Sequence, residues 1–84
     1  MRPYVIITIQ NVNKDFVYDI EVPTTVPANR LGSDIKETLI SYNHSIERLF
    51  LKGSLFCRRL DATIPEDLSF SEVGIWSGDI IVIS

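Results

Sequence analysis

The chain closes on an apolar, β-branched run, Asp79-Ile80-Ile81-Val82-Ile83-Ser84, and opens with a run of the same character, Tyr4-Val5-Ile6-Ile7-Thr8-Ile9-Gln10. β-Branched side chains are stiff and fit a pleated surface, so both runs read as strands. A chain of 84 residues buries only about 60% of the surface its unfolded form exposes, too little to fill two cores. Residues 1–84 are therefore expected to form a single domain, with the two terminal strands in one sheet. How they meet depends on what lies between them.

Phe16-Val17-Tyr18-Asp19-Ile20-Glu21-Val22 alternates, placing Tyr18, Ile20 and Val22 opposite Asp19 and Glu21. With Asn11-Val12-Asn13-Lys14-Asp15 supplying turn residues before it, the first two strands make an antiparallel hairpin. Pro23 ends the second strand, because proline has no N–H to give to a ladder. Pro27 suits the first position of a helix, and Ala28, Leu31, Ile35, Leu39 and Tyr42 then recur at steps of three and four residues on one face. Gly32 falls on that face and points to close approach of helix and sheet. Asn43-His44-Ser45 closes the helix.

A third strand is predicted over Glu47-Arg48-Leu49-Phe50-Leu51-Lys52, followed by a turn at Gly53-Ser54 and a short fourth strand over 55–59. Residues 60–68 form a polar connection. Ser69-Phe70-Ser71-Glu72 is a capping box opening a single helical turn that Gly74 can end, with Phe70, Val73 and Ile75 turned to the core. The expected fold is α+β: a mixed sheet of four to five strands packed on one α-helix. In that layout the first and last strands lie parallel at the centre of the sheet, and the helix forms the crossover.

Charge and composition exclude several functions. Net charge is -3, and Arg58-Arg59 is the only basic pair. Nucleic acid, which selects a basic face, is not an expected partner. No apolar run approaches the roughly 20 residues needed to span a bilayer, so direct membrane insertion is not expected either. Cys57 is the sole cysteine and can form no internal disulfide, and Met1-Arg2-Pro3-Tyr4 leads straight into strand residues without a leader pattern. The expected location is cytoplasmic.

Chemistry is sparse. Nucleophile–base catalysis needs a histidine beside a serine, cysteine or threonine, and the only histidine, His44, sits at a helix end where the dipole favours its cation. Cys57 beside Arg58 and Arg59 could hold a thiolate, but a lone strand cysteine reads better as a small buried hydrophobe. One cysteine and one histidine cannot build a zinc site, and Asp61, Glu66 and Asp67 read as a solvated acidic loop. Gly32, Gly53, Gly74 and Gly78 are scattered, so there is no phosphate-binding glycine loop. The sequence predicts no catalytic residues, cofactor or metal.

What remains is surface. If Ile7 and Ile9 face the helix, then Tyr4 and Ile6 face away, as do Phe50 on the predicted third strand and Ile80 and Val82 on the last. Ile6, Phe50 and Val82 are then expected as neighbours in an apolar patch for a protein partner, with Trp76 at its rim. A homodimer through the same faces is compatible with this patch.

Arg48-Leu49-Phe50-Leu51-Lys52-Gly53 and Phe70-Ser71-Glu72-Val73-Gly74-Ile75 resemble the third strand and the Leu-Ser-Asp-Tyr-Asn-Ile segment of ubiquitin, with Phe50 where ubiquitin displays its recognition isoleucine. Closer still is a resemblance to the YukD/EsaB-like family, small ubiquitin-like proteins associated with bacterial type VII (WXG100, ESX-like) secretion. It rests on Tyr18-Asp19-Ile20-Glu21-Val22-Pro23, on Val26-Pro27, and on the ending from Val73-Gly74-Ile75-Trp76 to Ile83. The resemblance implies a ubiquitin-like β-grasp and a non-enzymatic accessory or regulatory role in that secretion machinery. The alternative is a protein modifier or sulfur carrier activated at its C-terminus. Ile83-Ser84 does not offer the Gly-Gly end that such activation uses.

Overall fold

The computed structural model describes residues 3–49 and 54–84. Strand β1 (Tyr4–Gln10) and strand β2 (Val17–Pro23) form the expected hairpin, paired without a break from Tyr4 opposite Pro23 to Gln10 opposite Val17. Asn11 holds the hairpin loop together: its side-chain amide donates to Asp15 Oδ2 (2.7 Å) and its Oδ1 accepts from the Asp15 N–H (2.7 Å). Helix α1 (Ala28–Tyr42) follows. After a 3₁₀ helix (His44–Leu49) come β3 (Leu55–Cys57), β4 (Ala62–Thr63), the single-turn helix α2 (Phe70–Val73) and β5 (Ile80–Ile83).

The five strands are ordered β2-β1-β5-β3-β4. β5 runs parallel to β1, with Thr8, Ile9 and Gln10 opposite Ile80, Ile81 and Val82, and antiparallel to β3, with Leu55, Phe56 and Cys57 opposite Ile83, Val82 and Ile81. This is the ubiquitin-like β-grasp, a mixed sheet gripping one long helix. Its core is largely aliphatic: Ile7, Ile9, Leu39, Ile81, Ile83, Cys57 and Phe70 have no solvent exposure, and Leu31, Ile35 and Leu55 close to none. Burying each of the larger side chains contributes roughly 1.5–3 kcal/mol.

Four expectations are corrected. Glu47 to Leu49 are not a strand but the end of the 3₁₀ helix, while Phe50, Leu51 and Lys52 lie outside the described residues. The strand beside β5 is instead Leu55–Cys57, whose backbone finds β5 on one side and β4 on the other. The 60–68 connection contains β4, which pairs Ala62 and Thr63 with Cys57 and Phe56. Pro27 is not the first helical residue; it precedes the helix in extended conformation (ψ 145°) and forms a bridge with Ser69. The first helical N–H groups need acceptors from elsewhere, and carbonyls of the 64–69 loop provide them: Ala28 N–H donates to Leu68 O (2.8 Å) and Asn29 N–H to Glu66 O (3.0 Å). Tyr42, placed on the buried helix face by periodicity, is 65% exposed. The ring stands at the open groove between β2 and the helix, against Tyr18, 6.1 Å between centroids.

The capping box forms as the sequence indicates. Ser69 Oγ accepts from Glu72 N–H (3.4 Å), Glu72 Oε1 accepts from Ser69 N–H (3.0 Å), and Gly74 ends the turn at φ 79°. No atom lies within 4 Å of where a Cβ on Gly74 would stand, so glycine is needed there only for its left-handed backbone.

Leu39→Ala is expected to cost about 2–5 kcal/mol in urea unfolding, whereas Tyr42→Ala should cost less than about 1 kcal/mol. Equal losses would place Tyr42 back in the core.

Candidate interaction surface

Residues opposite one another in a sheet share a face, so the register defines the surface turned away from α1. Tyr4, Ile6, Thr8 and Gln10 of β1 lie on it with Ile80 and Val82 of β5 and Phe56 of β3. Phe50 lies outside the described residues, and the aromatic opposite Val82 is Phe56, half-buried. Sequence reasoning missed Phe56 because Leu49-Phe50-Leu51 and Leu55-Phe56-Cys57 have the same apolar pattern; only pairing with β5 separates them.

The register also spaces the face in a way that alternation could not reveal. Ile6 O accepts from Gly78 N–H (2.7 Å), so Ile6 lies level with the turn before β5, whereas Val82 lies level with Gln10. Four positions along a strand is roughly 13 Å. Ile6 and Val82 are thus at opposite ends of the face, with Thr8 between them donating its hydroxyl to Asp19 Oδ1 (2.7 Å). Val82 is buried and Ile80 half-buried, while Tyr4 (54%), Ile6 (53%) and Trp76 (63%) stand in solvent. At the Val82 end, Gln10 is buried and its Nε2 finds no acceptor among the described residues.

Trp76 is held from beneath by a residue that the sequence did not single out. Asp79, 7% exposed, receives Arg59 Nε on Oδ1 (2.8 Å) and Arg59 Nη2 on Oδ2 (3.0 Å), a two-point grip matched to guanidinium geometry. Its Oδ2 also accepts the Trp76 N–H (2.8 Å) and the Cys57 thiol (3.9 Å). Arg59 completes the arrangement by donating to Gly74 O (2.6 Å) and laying its guanidinium carbon 3.8 Å from the centre of the Trp76 ring. The Arg59 hydrogen bonds hold the Asp79 carboxyl below its usual range against the opposing effect of burial, and the Trp76 N–H adds to the lowering. Beside β1, Ser77 Oγ accepts the Ile6 N–H (3.1 Å), which ties this turn to the exposed apolar end of the face.

Cys57 is fully buried, with its sulfur against Asp79. His44 is exposed in the 3₁₀ helix. Among the described residues no three His, Cys, Asp or Glu side chains are grouped so as to hold a metal ion, and no helix is long and apolar enough to cross a membrane. No protein-family model and no curated protein matches the chain.

Two measurements test these contacts. Asp79→Asn should lower the urea midpoint at pH 7 and raise acrylamide quenching of Trp76, the sole tryptophan. Because the native carboxyl titrates below the unfolded one, its stabilisation is present above about pH 4 and lost as pH falls further. The gap between wild type and variant should therefore hold from pH 7 to 5 and close below 4; a gap independent of acid would remove the ion pair from the account. Gln10→Leu, which deletes a buried donor with no acceptor among the described residues, should leave stability unchanged or raise it by about 1 kcal/mol, and a clear loss would show that the amide is satisfied.

Proposed function

We propose that the chain is a non-enzymatic, ubiquitin-like protein-interaction module of the cytoplasm, an accessory or regulatory component of type VII secretion. The pathway rests on the resemblance of Tyr18 to Pro23 and of the ending from Val73 to Ile83 to the YukD/EsaB-like family. One observation supports the mode of action: Tyr4, Ile6 and Trp76 are each more than half exposed at one end of the sheet, and Trp76 is already fixed by Arg59 and Asp79. An aromatic that is rigid before binding loses little entropy on association, which suits an anchor for a protein partner. β5 is bonded to β1 and β3, and the Ser84 N–H donates to Ser54 O (3.1 Å), an arrangement suited to recognition through the folded surface.

Tagged protein recovered from producing cells is expected to carry the membrane ATPase of the secretion system, and Ile6→Asp with Trp76→Ala should abolish that recovery with an unchanged circular dichroism spectrum. Recovery by the double variant rejects this face. A mass increase on incubation with ATP and an activating enzyme favours the modifier alternative.

A further inference from the structure

Among the described residues the sheet has one long free edge, that of β2. Thr8 N–H donates to Asp79 O (3.0 Å) and Ile6 O accepts from Gly78 N–H, so even-numbered residues of β1 turn their backbone groups toward β5 and odd-numbered ones toward β2. Val5 and Val22, Ile7 and Ile20, and Ile9 and Tyr18 are consequently the pairs that exchange hydrogen bonds. Val17, Asp19 and Glu21 turn both N–H and C=O outward, and among the described residues these groups have no partner. Beside that edge, between β2 and α1, runs an open groove of about 350 Å³. Tyr18, Ile20, Leu31 and Ile35 line it, and Tyr42 stands at one end. Three acidic residues, Asp19, Glu21 and Asp34, also border it, with no basic residue among those lining it.

We infer that the β2 edge and this groove bind an extended segment of a partner protein as an added strand, one that alternates basic and apolar side chains. Its backbone completes the ladder on Asp19 and Glu21. By the two-residue alternation of a sheet, its side chains opposite Asp19 and Glu21 fall on the outer face, where a lysine or arginine meets a carboxylate. The intervening side chains fall on the α1 side, over Ile20 and Ile35, and must be apolar. A second copy of this chain fits poorly, because two-fold pairing of β2 with itself sets acidic side chains against each other. The edge is a different surface from the Tyr4, Ile6 and Trp76 cluster, and the inference does not rest on it.

The probe is an acetylated, amidated octapeptide alternating lysine and valine, titrated into the intact 15N-labelled protein. It should bind saturably with a dissociation constant below about 1 mM. Amide exchange should slow at Asp19 and Glu21, and shifts should extend to Ile20 and Ile35. The same peptide with glutamate for lysine should bind at least roughly tenfold more weakly, as expected for cross-strand charge pairing at two positions. Glu21→Pro removes an outward N–H while leaving the β1 ladder untouched, and should weaken binding roughly fivefold or more. Equal binding of the glutamate peptide, shifts confined to Ile6, Ile80 and Trp76, absence of saturable binding, or dimerisation through β2 in sedimentation would each overturn the inference. Slowed exchange at Asp19 and Glu21 in the wild type supports it even where the proline variant fails to fold.

Discussion

The fold depends on the insertion of a four-residue strand, β5, between two partners that run in opposite directions relative to it. Ile81 and Ile83 are fully buried beneath it, and its backbone completes the ladders of both β1 and β3. Because β1 and β5 are parallel, the chain must cross over between them, and α1 is the element that fills the crossover and covers the sheet. A short strand has little intrinsic preference for one register, so its position must be set at its entrance. Asp79 does this. Its carbonyl accepts from Thr8 at the start of the parallel ladder, while its carboxylate grips Arg59 from the β3–β4 turn and the backbone of Trp76. One residue thus couples the register of the central strand to the orientation of the exposed Trp76.

What could be read from sequence was what is decided locally. The alternation of Val17 to Val22, the three- and four-residue steps from Ala28 to Leu39 and the Ser69–Glu72 capping box each concern neighbours within a few residues, and each takes the form that its pattern dictates. The third strand was not of this kind. Two apolar triplets with a central phenylalanine compete for it, and the choice of Leu55–Cys57 is made by β5, more than twenty positions further along. The outer face suffered the same way: parity placed Ile6 and Val82 on one side correctly, but only the register shows them at opposite ends. Tyr42 obeyed the helical period and still escaped burial, because it stands at the open groove beside edge strand β2, with Tyr18 against one side of its ring. The Asp79–Arg59 pair was illegible for a simpler reason, since nothing in Trp76-Ser77-Gly78-Asp79 specifies a partner on another turn.

Charge ties the two surfaces together. Asp19 and Glu21 turn their backbone to the free edge and their side chains to the outer face, where Glu21 lies opposite Ile6 and Asp19 opposite Thr8. They therefore border both the exposed apolar cluster and the position that an added strand would take. A long unpaired edge invites indiscriminate pairing, and acidic residues at alternate positions restrict it: apolar strands gain no cross-strand partner there, and acidic ones are repelled. On a molecule with a net charge of -3, the same residues bias encounter toward basic partners from either side of the β2 border. The pattern that keeps the edge from pairing with its own copies is therefore also a specificity filter, because both effects follow from placing carboxylates beside the backbone groups left free.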